Sequence, residues 1–318
     1  MKLIEKDKIT GETELVDTVI NKDVLRGLQC LPDNYIDMII TSPPYWGLRN
    51  YKVDGQIGQE ESPEKYVETL RSVFSAARRV LKDTGTLWLN LGDTYMSGGS
   101  PSRHFGYADE KNKKGRNIDF HEPQTNKHET IKPKDLVGIP WRVALALQQD
   151  GWYLRSDIIW HKPNAMPESA QDRPTRDHEY IFLFSKNQKY YYDADSIREP
   201  HTSLDDLKRR KNKTYSQNIT RGGTAEQTLG RNRGEFYHPK GRNKRTVWKI
   251  KIKPYPDTHF AVFPKELVRQ CVLAGCPEDG IVLDTFAGSG TTLEVATELN
   301  RRYVGIELNS DYLRLIKK

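Results

Sequence analysis

Cysteine is scarce and long apolar runs are missing. The three cysteines, Cys30, Cys271 and Cys276 among 318 residues, are odd in number and share no metal-type spacing. This argues against a disulfide framework, and the usage fits a cytoplasmic protein. The longest apolar stretches, such as 36–40, fall far short of the roughly 20 residues a spanning helix needs. With 29% charged residues and a mean hydropathy of −0.76, an integral membrane protein is excluded. The start, Met1-Lys2-Leu3-Ile4-Glu5-Lys6-Asp7, lacks the apolar core of a secretory signal. No internal repeat is present. His104, His121 and His128 have no accompanying cysteine and no ligand-type spacing, so no metal is expected.

What is present in excess is positive charge, and it is concentrated. Lys and Arg number 50 against 43 Asp and Glu, a net charge of +7. The stretch from His201 to Ile250 alone carries 13 Lys/Arg against 4 Asp/Glu, a local charge of +9. Gly222, Gly223, Gly230, Gly234 and Gly241 punctuate it, with Tyr215, Phe236 and Tyr237 between them. Such a segment reads as a nucleic-acid contact surface; a solvated loop conferring only solubility is the other reading. A second polar stretch, about 96–134, contains Lys111-Asn112-Lys113-Lys114-Gly115-Arg116 and reads as a long loop.

Elsewhere two periodicities alternate. Short β-branched or apolar runs at 17–20, 35–40, 85–91, 155–160, 180–184, 281–283 and 303–306 predict strands covered on both faces. Helical spacing predicts helices over 63–81, with Ser62 as cap before Pro63, and over 136–149, 264–274 and 291–299. The pattern is α/β: a doubly wound, mostly parallel sheet, with ligands beyond the carboxyl ends of its strands.

Two turns carry chemistry. The first is Asp284-Thr285-Phe286-Ala287-Gly288-Ser289-Gly290-Thr291, a strand end, a glycine turn and a helix start whose exposed amides attract anions. No Lys follows Gly290, which disfavours a nucleotide-phosphate loop, and the G-x-G-x-x-G pattern is absent. Asp284 suits a cationic amine, and Glu307, about twenty residues on, suits ribose hydroxyls. A ligand with an amino-acid end and a nucleoside end, such as S-adenosylmethionine, fits both; surface turn residues are the alternative. The second turn is Thr41-Ser42-Pro43-Pro44-Tyr45-Trp46. Two prolines stiffen it, so that Ser42 Oγ and the Pro43 carbonyl form a rigid acceptor array beside an aromatic ring. That array suits a planar exocyclic amine, held for methyl transfer, with Tyr45 stacking on a base flipped from the duplex. A strand-ending turn with a packed tyrosine is the alternative.

These two turns, in this order, resemble those of the β-class amino-group (N4-cytosine/N6-adenine) DNA methyltransferases. The resemblance spans most of the chain, apart from about 96–132 and 202–242. It implies a Rossmann-like class I methyltransferase fold with circularly permuted motif order. It implies catalysis by Ser42, Pro43, Pro44 and Tyr45. S-adenosylmethionine would be held by Asp23, Thr41, Phe260, Phe263, Pro264, Asp284, Phe286, Ala287, Gly288, Ser289, Gly290, Thr291 and Glu307. The partner implied is double-stranded DNA, met by Trp46, Arg49, Lys208, Arg209, Arg210, Arg221, Arg231, Arg233, Arg242, Lys244 and Arg245. The implied layout is a catalytic part over 1–200, a basic target-recognition insertion over 201–250 and a cofactor-binding part over 251–318. A cognate restriction endonuclease is a further implied partner, with monomer and homodimer both open. No Cys follows a Pro, which disfavours ring-carbon methylation. Serine in the first position of the motif favours cytosine N4 over adenine N6. An RNA or protein methyltransferase, or a binding module without activity, are the competing readings.

Overall fold

The computed structural model describes residues 2–4, 15–51, 53–96, 128–201, 238, 240–252 and 263–316. The chain forms two compact units, Met1–Tyr192 with Thr246–Lys318, and Asp193–Arg245. The larger unit is built on one sheet. In chain order its described strands are β1 (Lys2–Ile4), β2 (Thr18–Ile20), β3 (Ile36–Thr41), β4 (Leu81–Leu91), β5 (Tyr153–His161), β6 (His178–Ser185), β7 (Val247–Lys249), β8 (Ile281–Asp284) and β9 (Arg302–Ile306). In space the order is β1-β2-β9-β8-β3-β4-β6-β5-β7. Every pairing is parallel except those of β6, which runs against both β4 and β5.

The helices are α1 (Val24–Gln29), α2 (Pro63–Val80), α3 (Ile139–Gln149), α4 (Lys265–Gly275), α5 (Thr291–Glu298) and α6 (Ser310–Ile316). The central strands are nearly all apolar because helices cover both faces: Ile39, Leu87, Leu89, Val282 and Leu283 are fully buried. On α2, Ser62 accepts from Lys65 N at 3.3 Å and Pro63 opens the helix, where its missing N–H costs nothing. Its buried stripe is Tyr66, Leu70, Val73, Phe74 and Ala77. Truncating Leu70 to alanine there would cost about 2–5 kcal/mol.

The connections fix where a ligand can sit. From β3 the chain passes through α2 to β4 on one side; from β8 it passes through α5 to β9 on the other. β3 and β8 are neighbours, so the winding reverses between them. Their carboxyl ends flank the crevice where open α/β sheets bind ligands.

Three boundaries depart from the sequence reading. α3 begins at Ile139 because Gly138 adopts φ 78°; the Asp93 carboxylate, 45 residues upstream, accepts from the N–H groups of Gly138 and Ile139 at 3.0 Å each. Residues 247–249, assigned by charge to the insertion, are strand β7, paired with β5. Only Trp248 of the three is buried, so two exposed residues hide the strand in a basic stretch. The second unit begins before residue 201, at Asp193. In it a short helical turn, Asp195–Ile197, precedes a bridge between Glu199 and Arg242. Gly241 is required there: φ is 114°, and an added Cβ would lie 2.3 Å from the Glu199 carbonyl.

Candidate active site

At the end of β8, Asp284 is 1% exposed. Its Oδ1 accepts from Thr41 Oγ1 at 2.7 Å and from the Phe286 N–H at 3.0 Å; its Oδ2 accepts from Thr292 Oγ1 at 2.5 Å. Thr285 Oγ1 in turn donates to Thr41 Oγ1 at 3.2 Å. Burial raises the Asp284 carboxyl above its ordinary range, against the pull of these donors. The group works from inside, tying the end of β3 to the glycine turn and to the start of α5. It thereby joins the two motifs across the point where the winding reverses.

The glycine turn is open on one side. Gly288 has φ 52°, and a Cβ there would meet nothing closer than 3.9 Å. Gly290 has φ 86° and is backed by Ile316 of α6, 3.0 Å from an added Cβ. Ser289 Oγ is buried without a partner among the described residues. Glu307, just beyond β9 and 9% exposed, accepts from the Gly288 N–H at 2.8 Å and the Asn309 N–H at 2.7 Å. Burial pushes its carboxyl up to about 7; the Asn309 and Gly288 amides pull it back, while the Asp284 charge adds to the rise. Asn21 Nδ2 donates to the Glu307 and Leu308 carbonyls at 2.8 and 3.1 Å, which brings the Asn21-Lys22-Asp23 segment to the same edge. Asp23 itself caps α1, accepting from the Arg26 N–H at 3.1 Å. Phe263 and Pro264 lead into α4, where Lys265 pairs with Glu294 and Glu298 of α5. Phe260 lies outside the described residues. A hollow beside Gly288, an orphaned Ser289 hydroxyl and a carboxylate at the neighbouring strand end fit a ligand carrying both amino-acid and ribose groups.

Beyond β3, the Ser42-Pro43-Pro44-Tyr45 turn is held from several sides. Tyr66 of α2 donates its hydroxyl to the Pro44 carbonyl at 2.8 Å. The Tyr45 ring rests on Gly92: an alanine Cβ there would lie 2.6 Å from Tyr45 Cε2. The Tyr45 hydroxyl donates to Glu179 Oε2 at 2.7 Å. Ser42 Oγ donates to the Tyr45 hydroxyl at 3.4 Å. Asn90 Nδ2 lies 2.7 Å from the Tyr45 hydroxyl, 3.0 Å from Glu179 Oε2 and 3.3 Å from Ser42 Oγ. Lys162 forms an ion pair with Glu179 Oε1 and stands over the Trp160 ring, 4.5 Å from its centroid. Burial pushes the Glu179 carboxyl up, but the Lys162 charge and the bonds from Lys162, Tyr45 and Asn90 outweigh it and hold the group below its ordinary range. Burial, reinforced by the Glu179 charge, raises the Tyr45 phenol well above its usual value.

Sequence reasoning named Ser42 and Tyr45 but missed Asn90, Gly92, Lys162 and Glu179. Asn90 did leave a signal, a lone amide inside the apolar run Leu87-Trp88-Leu89-Asn90-Leu91. Of the residues expected at DNA, Trp46 turns inward: its indole N–H donates to the Glu60 carbonyl at 2.9 Å and its ring packs on the core. The Arg49 charge acts on the Tyr51 and Tyr312 phenols, opposing the rise that burial gives them. Within the second unit, Arg242 and Lys244 pair with Glu199 at 3.0 and 3.8 Å, and Arg245 is the last residue of that unit. Lys208, Arg209, Arg210, Arg221, Arg231 and Arg233 lie outside the described residues, as do His104 and His121. His128 binds Glu64 at 3.0 Å.

Residues 36–318 match the family model for DNA methylase of the N6/N4 type. The chain belongs to this family. It is similar to the type II methyltransferase M.SmaI of Serratia marcescens, 49% identical over 94% of this chain and 89% of that protein. The type II methyltransferase M.Cfr9I of Citrobacter freundii is 46% identical over 93% of this chain and 85% of its own length. Among solved structures, the PvuII cytosine-N4-specific DNA methyltransferase shares the fold with a TM-score of 0.61 at 18% identity, covering 93% of this chain and 83% of that one. The Thermus thermophilus protein TTHA0409, solved with S-adenosyl-L-methionine, shares it with a TM-score of 0.54 at 22% identity, over 94% and 90% of the two chains. The doubly wound α/β sheet is that of the Rossmann-like DNA methyltransferases, and the chain is an amino-group DNA methyltransferase.

Proposed function

We propose that this methyltransferase modifies the N4 amine of a cytosine flipped out of duplex DNA, in a type II setting beside a cognate endonuclease. The methyl donor is S-adenosylmethionine. The observation that carries the reading is the Thr41–Asp284 bond, 2.7 Å long, which sets the Ser42 turn and the glycine turn side by side at one strand edge. Glu307 suits ribose hydroxyls, and the Gly288 hollow with Ser289 suits the amino-acid end; Asp23, Phe263 and Pro264 are assigned to the same donor. When bound, S-adenosylmethionine supplies a methyl group on a cationic sulfur that leaves with the bonding electrons. Ser42 Oγ and the Pro43 carbonyl accept the two N–H hydrogens of the target amine. This weakens the delocalisation of its lone pair and offsets the positive charge that builds on nitrogen as it gains the methyl group, before one proton passes to solvent water. Tyr45, its hydroxyl tied to Glu179, offers a partly exposed ring to the base. The insertion around Lys208, Arg209, Arg210, Arg221, Arg231 and Arg233 supplies phosphate and base contacts.

Cytosine is preferred over adenine because serine, not aspartate, opens the motif. The test is to incubate the protein with methyl-labelled donor and unmethylated genomic DNA, then identify the labelled nucleoside by mass spectrometry. N4-methylcytosine is the expected product, and N6-methyladenine would reverse the base assignment. Ser42→Ala should lower turnover by about 10²–10³-fold with donor binding retained; a wild-type rate would remove Ser42 from the mechanism.

A further inference from the structure

The hydrogen atoms around Ser42 can be assigned by elimination. An ionised carboxylate only accepts, so the Tyr45 hydroxyl, 2.7 Å from Glu179 Oε2, must give its one hydrogen to Glu179. Tyr45 oxygen is then left with lone pairs alone, and it receives Asn90 Nδ2 at 2.7 Å and Ser42 Oγ at 3.4 Å. The single hydrogen of Ser42 is thereby directed to Tyr45, and with Asn90 Nδ2 3.3 Å away on one side, Ser42 Oγ keeps a lone pair for the crevice. A hydroxyl with its hydrogen turned outward would instead repel the N–H groups of a target amine.

We infer that Glu179, paired with Lys162, is a positioning residue that sets the direction of a Ser42–Tyr45–Glu179 hydrogen-bond chain and so fixes Ser42 as an acceptor for the target amine. This rests on the function proposed above. Glu179 does not serve as the base that takes the departing proton. Its carboxyl lies below its ordinary range, and a weak base in a buried ion pair is a poor proton acceptor. Both its oxygens are already engaged, one by Lys162 and the other by Tyr45 and Asn90.

The discriminating variant is Glu179→Gln, nearly equal in shape. Its amide nitrogen can donate to the Tyr45 oxygen, which would reverse the chain and turn the Ser42 hydrogen outward. With the full-length protein, single-turnover methylation of duplex DNA and the donor Kd would be measured for wild type, E179Q, Y45F and the double variant. E179Q should lose about tenfold to a hundredfold in rate with donor Kd little changed, while the thermal midpoint falls because Lys162 loses its counter-charge. The double variant should be no slower than the slower single one, because both substitutions cut one chain. E179Q within twofold of wild type, or a double variant showing the product of the two single losses, overturns the inference. Should E179Q not fold, Y45F alone decides: it breaks the middle link while leaving the Lys162–Glu179 pair, and a wild-type rate would sink the chain. Failure of the wild-type protein to label any DNA nucleoside is a separate result, seen before any variant is made, and it removes the underlying function.

Discussion

On the proposed function, Glu307 is one buried carboxylate that links pH to donor binding. Without ligand its carboxyl is pushed up to about 7, so between its ordinary value and 7 the folded protein holds a proton the unfolded chain has released. The sign follows: this group's contribution to stability falls as pH rises through that window and is level above it. On the proposed function ribose hydroxyls bind the ionised form, so donor binding should expel the proton. Donor affinity, measured by calorimetry, should weaken by about tenfold from pH 8 to pH 6, and Glu307→Gln should flatten the profile. A profile unchanged by that substitution would place the titrating group elsewhere. Gly92 acts by absence: alanine has nowhere to put its methyl group except into the Tyr45 ring, 2.6 Å away. Gly92→Ala should therefore depress single-turnover rate well beyond its effect on donor Kd.

At the scale of elements, the site is a seam between strand ends, and short helices keep it closed from behind. α6 is the clearest case. Leu313 and Ile316 pack with Val19, Ala287 and Leu293 into a small cluster beneath the glycine turn, and Ile316 abuts Gly290. A side chain at Gly290 would meet both a left-handed backbone and Ile316. The backbone conformation alone costs about 1–2 kcal/mol for a non-glycine residue. Gly290→Ala should lower the urea midpoint and weaken donor binding together. If it weakened neither, the turn would not depend on that φ. α3 is held the same way at its start, by an Asp93 carboxylate that belongs to the loop following β4.

For the whole molecule, one sheet and one basic segment divide the work. On the proposed function, the sheet collects donor-binding and catalytic groups where its winding reverses, while the excess positive charge sits almost entirely in 201–250. No helix among the described residues is long and apolar enough to cross a membrane. Charge placed this way predicts a separable effect. Replacing Lys208, Arg209 and Arg210 with alanine should weaken duplex DNA binding and lower the slope of log K against log salt by up to about 0.9 per lost phosphate contact. Donor binding should not change. An unaltered salt slope, measured by fluorescence anisotropy at several salt concentrations, would show that these three residues do not meet the backbone.

The α/β class, the main strands and the four longer helices are legible in the sequence, because they rest on local periodicity and on caps such as Ser62. So are Ser42, Asp284, Glu307 and the two glycines, because turn chemistry is local as well. The short elements β1, α1, β7 and α6 are not legible, having too few residues to display a period. Asn90, Lys162 and Glu179 are illegible for another reason. Each is ordinary in its own segment; Asn90 and Glu179 meet Tyr45, and Lys162 meets Glu179, only because the reversed strand β6 is inserted between β4 and β5. Likewise the sequence marks Asp284 as an acid at a strand end, but not as the post to which Thr41, 243 residues away, is tied. Local propensity selects the elements and the residues able to do the chemistry. Long-range strand pairing and burial select the partners of those residues, and with them the direction of each hydrogen bond and the charge state of each carboxylate.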